Sequence, residues 1–218
     1  MRCIIMGPPG AGKGTQSAMC SNKFNVPKLA TGDVLRSEVK HGTSLGKKVK
    51  EIIESGDLVP DALILEIIGA QIQDEKCQNG FILDGFPRNV AQAKAFDKLL
   101  EQNGATLDAI ITLDVPEEEL VKRFTGRRVA EQSGYVYHIE YNPPKIPGVC
   151  DETGEPLIQR VDDIEQTVRH RLKVYWDETA PVLEFYKEQN RLLQVDGNQS
   201  MEKVFDDICA LLGDSQAA

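Results

Sequence analysis

Positive charge, paired cysteines and long apolar runs are all scarce in this chain. Its 218 residues carry 25 Lys and Arg against 34 Asp and Glu, a formal charge of -9. An acidic surface repels a phosphate backbone, so the expectation is no nucleic-acid partner. No apolar run approaches the ~20 residues of a membrane span, so no membrane partner is expected. The hydrophobic fraction, 41%, is that of an ordinary soluble domain. Five cysteines (Cys3, Cys20, Cys77, Cys150, Cys209) are odd in number and scattered, with no Cys-x-x-Cys pair. They read as reduced thiols of a cytoplasmic protein. A strand pattern starting at residue 2 leaves no room for a signal or transit peptide. No Ser-His-Asp or Cys-His arrangement is present, and His41, His138 and His170 read as structural or exposed. The length suits one domain with an insertion.

What is present centres on Gly7-Pro8-Pro9-Gly10-Ala11-Gly12-Lys13-Gly14-Thr15. The apolar run Arg2 to Met6 before it reads as a buried strand, and Gln16 to Phe24 after it as a helix. Strand, glycine-rich turn, lysine and helix form the layout of a phosphate-binding loop. Glycines let several N–H groups turn into one hollow, and a helix N-terminus adds positive potential. Gly7, Gly12 and Lys13 fit the general pattern, but Gly14 stands where a hydroxyl is usual, and Thr15 follows one place later.

Further strands are expected at 27–30, 80–84, 108–115 and 192–196. Helices are expected at 34–40, 45–54, from a cap at Asp61, and at 91–101, 117–124 and 200–212. Thr31-Gly32-Asp33 reads as a helix start. Ile64, Ile67, Ile68 and Ile72 form one core stripe, and Val204, Phe205, Ile208, Leu211 and Leu212 another. The strand ending at Asp84 resembles a Walker B element, whose carboxylate organises Mg²⁺ and its waters. Strands alternating with helices imply right-handed crossovers and a parallel sheet covered on both faces.

Between Gly126 and Asp163 the helical period disappears and short strand and turn signals replace it. So long a helix-free stretch reads as an inserted lid. Arg127 and Arg128 stand at its entry and Arg160 at its exit. A long helix is expected from Ile164, with Val168, Leu172, Trp176 and Leu183 inward and a kink at Pro181.

Four stretches together resemble the adenylate kinase family, in its long-lid bacterial form. They are Gly7 to Thr15; Thr31-Gly32-Asp33 with Arg36; Asp84-Gly85-Phe86-Pro87-Arg88 with Gln92; and Gly126-Arg127-Arg128 through Arg160 to Arg171. The family uses the loop variant Lys13-Gly14-Thr15. The resemblance implies an α/β fold with a five-stranded parallel sheet, an AMP-binding helical segment at 30–59 and a β-rich lid at 126–163. The core would be 1–29, 60–125 and 164–218. It implies Mg²⁺-dependent transfer of the terminal phosphoryl group of ATP to AMP, giving two ADP, in the service of adenine-nucleotide balance and purine salvage. It also implies a monomer.

Site residues follow by position. Gly10, Ala11, Gly12, Lys13, Gly14 and Thr15 would hold the ATP phosphates. Arg127, Val136 and Tyr137 match ATP contacts on the lid, and Gln199 a backbone contact to the ATP base. Arg36 and Arg88 match the grip on the AMP phosphate. Thr31, Asp57, Leu58, Val59, Gly85, Phe86, Pro87 and Gln92 match the AMP site, to which Arg160 and Arg171 add. Arg123, Arg160 and Arg171 would close around the phosphates, and with Lys13 and Arg88 would carry catalysis.

Some family members hold structural zinc on four lid cysteines. Here those places read Ala130, Ser133, Cys150 and Thr153, which cannot supply the thiolates zinc prefers, so a metal-free lid is expected. A relative acting on another nucleoside monophosphate is the nearest alternative, though the long insertion argues against the pyrimidine-specific ones. GTP as donor stays open. A GTPase switch would need Asn-Lys-x-Asp, and Asn22-Lys23-Phe24-Asn25 lacks the Asp. A silent nucleotide sensor would have no need for a second phosphate-gripping set such as Arg36 and Arg88.

Overall fold

The computed structural model describes residues 1–214. The last four residues of the expected core segment, 215–218, lie outside the described residues. The strands are β1 (Arg2–Met6), β2 (Lys28–Ala30), β3 (Phe81–Asp84), β4 (Ala109–Asp114), and three more in the insertion, β5 (Arg127–Ala130), β6 (Val136–His138) and β7 (Leu157–Ile158), before β8 (Leu192–Asp196). The helices are α1 (Lys13–Phe24), α2 (Thr31–Lys40), α3 (Ser44–Ser55), α4 (Asp61–Ile72), α5 (Val90–Gln102), α6 (Glu117–Thr125), α7 (Glu165–Val174), α8 (Ala180–Lys187) and α9 (Met201–Asp214).

The main sheet has five strands in the order β2-β3-β1-β4-β8, all parallel. Strand periodicity splits its side chains between two layers. Cys3, Ile5, Ile82, Ile111 and Leu113 pack against α1, α6, α7 and α9 through Cys20, Phe124, Leu172 and Ile208. Ile4, Met6, Leu83 and Ile110 point the other way, to Leu35, Val49, Ile68, Phe96 and Tyr186. The expected α/β class and parallel sheet are therefore as observed.

The insertion forms a separate antiparallel sheet in the order β6-β5-β7. Its own small core is Ala130, Tyr137 and Cys150, with Leu157 packed on it. No described helix is long and apolar enough to cross a membrane.

Two expectations need correction. Asp61 does not cap α4: Pro60 holds the cap position, and the Asp61 carboxylate accepts from Asn89 and Gln92 instead. The helix after Ile164 is interrupted by a π-helical turn, Tyr175–Thr179, before Pro181 near the start of α8. Proline has no N–H for the carbonyl four residues back, and the N–H of Ala180 reaches Tyr175 O, five residues back. The inward stripe runs Val168, Leu172, Tyr175, Thr179, Val182, Tyr186. Trp176 falls beside it and is 45% exposed, while Leu183 is only partly buried.

Candidate active site

The loop between β1 and α1 is held open by geometry that glycine alone tolerates. Gly7 and Gly10 have φ of 135° and 88°. A Cβ on Gly7 would lie 2.7 Å from Leu113 O, and one on Gly10 2.8 Å from Leu120 O. α1 begins at Lys13 itself rather than at Gln16, with left-handed Gly12 as its cap. Gly10 to Thr15 thus wrap its first turn, where free N–H groups gather. Lys13 Nζ donates to Gly7 O and Pro8 O, both at 2.8 Å.

Asp84 ends β3 directly beside that turn. A Cβ on Gly14 would lie 3.3 Å from Asp84 Oδ2, and Lys28 Nζ lies 3.4 Å from the same oxygen. The chain then turns through Gly85, and Thr31 Oγ1 and Arg88 Nε both donate to Gly85 O, at 3.2 and 2.8 Å.

Two adjoining hollows share this turn. One, of about 520 Å³, is bounded by Lys13, Phe86, Pro87, Arg88 and Arg171. The other, of about 580 Å³, has Thr31, Arg36, Asp57, Leu58, Val59, Gly85, Arg88, Gln92 and Arg171 on its walls.

The hollows are strongly cationic. Burial pushes the Lys13 ammonium down to about 7; Asp84 opposes the fall, and Arg88, Arg171 and Arg127 deepen it. Burial likewise lowers Arg88, helped by Arg36. Arg160 and Arg171 are each pushed down to about 10, first by burial and then by neighbouring guanidinium groups. Each of these cations destabilises the charge on the others, and such concentration is a mark of functional sites.

Carboxylates offset part of that repulsion. Arg36 contacts Asp33 at 2.6 Å, and Arg160 approaches the same oxygen at 3.8 Å. Burial alone would raise the Asp33 carboxyl, but Arg36, Lys28 and Arg160 outweigh it and hold it low. Arg171 contacts Asp162 at 2.5 Å. Arg127 grips Asp163 with Nε at 2.8 Å and with Nη2. The guanidinium carbons of Arg127 and Arg171 lie 4.4 and 4.7 Å from the centre of the Phe124 ring.

Not every candidate residue meets at the hollows. Arg123 turns to Glu119, at 3.1 Å, and to Gly197 O, at 2.9 Å. Gln199 spends its amide on Asp196 O and Asp207. Val136 is exposed. Tyr137 Oη accepts from Asp151 N and meets Cys150 Sγ at 3.7 Å. Around it, Glu155 accepts from Gln132 N, Ser133 N and Thr153 Oγ1. Sequence reasoning gave no role to Lys28, Phe124, Asp162 or Tyr141, and read Asp33 and Asp61 only as helix-start residues. Tyr141 stacks on His138 at 4.5 Å and faces Arg123 at 5.8 Å. The one local signal was the Asp162-Asp163 pair just after Arg160.

The comparisons with known proteins agree with this layout. The family model described as Adenylate kinase matches residues 5–191. The chain belongs to the adenylate kinase family. A protein named Adenylate kinase from Clostridioides difficile (strain 630) is 48% identical over 213 residues, covering 98% of this chain and 99% of that one. One of the same name from Chloroherpeton thalassium is 49% identical over 213 residues, covering 97% and 98%. Another, from Shouchella clausii, is 47% identical over 217 residues and covers all of both. The adenylate kinase match thus spans the loop, both hollows and the lid sheet.

Proposed function

We propose that this chain transfers the terminal phosphoryl group of ATP reversibly to AMP, giving two ADP. The observation that carries the reading is the group of mutually repelling cations at the carboxyl ends of β1 and β3. Lys13, Arg36, Arg88, Arg160 and Arg171 gather there, with Arg127 joined to them through Asp163. A bound polyanion would relieve what the carboxylates leave of that field. Open α/β sheets take ligands at that end of their strands.

The residues divide between two substrates. Gly10 to Thr15 hold the ATP phosphates, on which Arg123 closes, with Arg127, Val136 and Tyr137 as ATP contacts on the lid and Gln199 at the ATP base. Arg36 and Arg88 take the AMP phosphate, and Thr31, Asp57 to Val59, Gly85, Phe86, Pro87 and Gln92 its nucleoside. Arg160 and Arg171 serve both. Mg²⁺ carried with ATP suits Asp84, since a small hard cation asks for one or two carboxylates, phosphate oxygens and water. When bound it would neutralise phosphate charge.

Phosphoryl transfer asks for alignment and charge stabilisation rather than covalent help. An AMP phosphate oxygen is itself the nucleophile, so no general base is needed. Water must be kept out, because it competes as acceptor. We assign that task to residues 126–163 as a lid and 30–59 as an AMP-side segment, over a core of 1–29, 60–125 and 164–218. Lys40 Nζ donates to Glu131 O at 3.3 Å, tying the two moving parts across the cleft. The lid is read as metal-free, since Cys150 and Glu155 are engaged by hydrogen bonds of its own. The protein is read as a cytoplasmic monomer without nucleic-acid or membrane partners.

ADP formation from ATP with AMP, GMP, CMP and UMP in turn tests the reading. AMP is expected to be the efficient acceptor, and Arg88→Ala to lower that rate by about 100-fold or more in a folded protein. Equal rates with all four, or a fully active Arg88→Ala, would refute it.

Lys13 gives a second test. Phosphate beside it restores an ordinary ammonium, so at about pH 8 ATP binding should take up about one proton. Calorimetry in buffers of different ionisation enthalpy measures this. Proton uptake should vanish in Lys13→Met, and a binding enthalpy independent of buffer in the unaltered protein would contradict the site's electrostatics.

A further inference from the structure

We propose that Asp61 sets the base preference of the acceptor site, by fixing the polarity of the Gln92 side-chain amide. The inference rests on the reading that the hollow beside Gln92 takes the base of the acceptor nucleotide.

Gln92 is only 1% exposed and its amide is held at both ends. Oε1 accepts from the backbone N–H of Arg88 at 2.7 Å, and Nε2 donates to Asp61 Oδ1 at 2.7 Å. A backbone N–H can only donate and a carboxylate can only accept. The two ends of the amide are therefore assigned by chemistry. The partners are themselves anchored. Asp61 Oδ1 also accepts from Asn89 Nδ2 at 2.9 Å, and Asn89 Oδ1 accepts from Gln92 N at 2.8 Å as the cap of α5. Arg88 O accepts from Thr179 Oγ1 at 2.7 Å.

Each end keeps one unused capacity, a lone pair on Oε1 and an N–H on Nε2. Gln92 borders the hollow that Thr31, Arg36 and Arg88 also border. It offers a ligand an acceptor next to a donor, in that fixed order. A 6-aminopurine answers with an amino donor beside a ring-nitrogen acceptor. A 6-oxopurine has the reverse order, a carbonyl beside a ring N–H. To match it, the amide must turn over. Its NH₂ would then face the Arg88 N–H and its carbonyl the Asp61 carboxylate, two like-on-like contacts in a buried place. Asp61 is thus a positioning residue: it touches no substrate and acts through Gln92.

Inosine 5′-monophosphate is the probe, because it shares the ribose and phosphate of AMP and inverts the base edge without adding a 2-amino group. With Asp61→Ala, the ratio of kcat/KM for AMP over IMP is expected to fall about tenfold, the scale of one charge-assisted hydrogen bond. The change should lie in the monophosphate KM, with the ATP KM and saturating kcat held. Asp61→Asn keeps a carbonyl that can accept both donations, and should restore the ratio. If the alanine protein does not fold, Asp61→Ser replaces it: too short to reach Nε2, yet its hydroxyl keeps a polar group in the place of the carboxylate. A folded Ala or Ser variant with the unaltered AMP-to-IMP ratio would overturn the proposal. Gln92→Leu separates the two layers of inference. If it abolishes the preference while Asp61→Ala does not, the lock fails and the base site stands. If Gln92→Leu leaves the AMP KM unchanged, the base-site reading falls and the proposal with it.

Discussion

Lys13→Met is expected to stop turnover and, at the same time, to make the ligand-free protein more stable. The first effect follows from losing a cation aimed at the transferred group, which costs about 10²–10³ in rate at such sites. The second follows from the same charge in the absence of ligand. Burial, with Arg88, Arg171 and Arg127 adding to it, brings the ammonium down to about 7. The unfolded chain keeps an ordinary lysine near 10.4. Between those two values the unfolded state binds more protons, so this residue's contribution to stability rises with pH. Its penalty is full below about pH 7 and gone above about pH 10.5. The Met variant should therefore melt about 3–6 °C higher near neutrality, with the gain shrinking as pH rises. Gly7 O and Pro8 O both lose this donor, and water is expected to replace it. Thermal melts at about pH 6.5 and 9.5 beside a turnover assay check both halves. Normal turnover would remove Lys13 from the mechanism, and an unchanged melting temperature would remove the electrostatic account of the empty site.

Asp163→Asn is expected to carry the largest stability loss. Asp163 is wholly buried, grips Arg127 through both carboxylate oxygens, and lies 4.0 Å from Arg171. The amide keeps the shape and removes the charge. Arg127 is then left in a crowded cationic site without its counter-ion, a loss of about 3 kcal/mol, or about 10 °C in melting temperature for a chain of this size. A polyphosphate supplies the missing negative charge, so saturating ATP should recover much of the difference. A melt unchanged without ligand would show that the carboxylate is dispensable. A deficit that ATP leaves untouched would show that Arg127 does not meet the nucleotide.

The parts of the site written in consecutive residues were legible in advance. The strand, glycine turn and lysine of 2–13 needed only local rules, and so did the acid ending β3. The misreadings came where partners are far apart along the chain. Asp61 looked like a cap because its neighbours fit a helix start, yet its partners are Asn89 and Gln92 on another helix. Trp176 looked like core because it follows Leu172 by four residues, but the helical period takes a three-residue step there and gives the inward place to Tyr175. Phe124 was read only as the end of a helix, and no periodicity says that guanidinium groups from β5 and α7 approach its ring.

Sequence by itself determined the class of fold, the glycine-rich loop before α1 and the family, because each is recorded in short-range pattern and in glycines whose backbone no other residue tolerates. Tertiary structure alone decided which carboxylate holds which arginine, how far Lys13 is driven from its ordinary charge, and which way the Gln92 amide points. Those depend on Coulombic and hydrogen-bond terms that act over a few ångströms in space, whatever the distance along the chain.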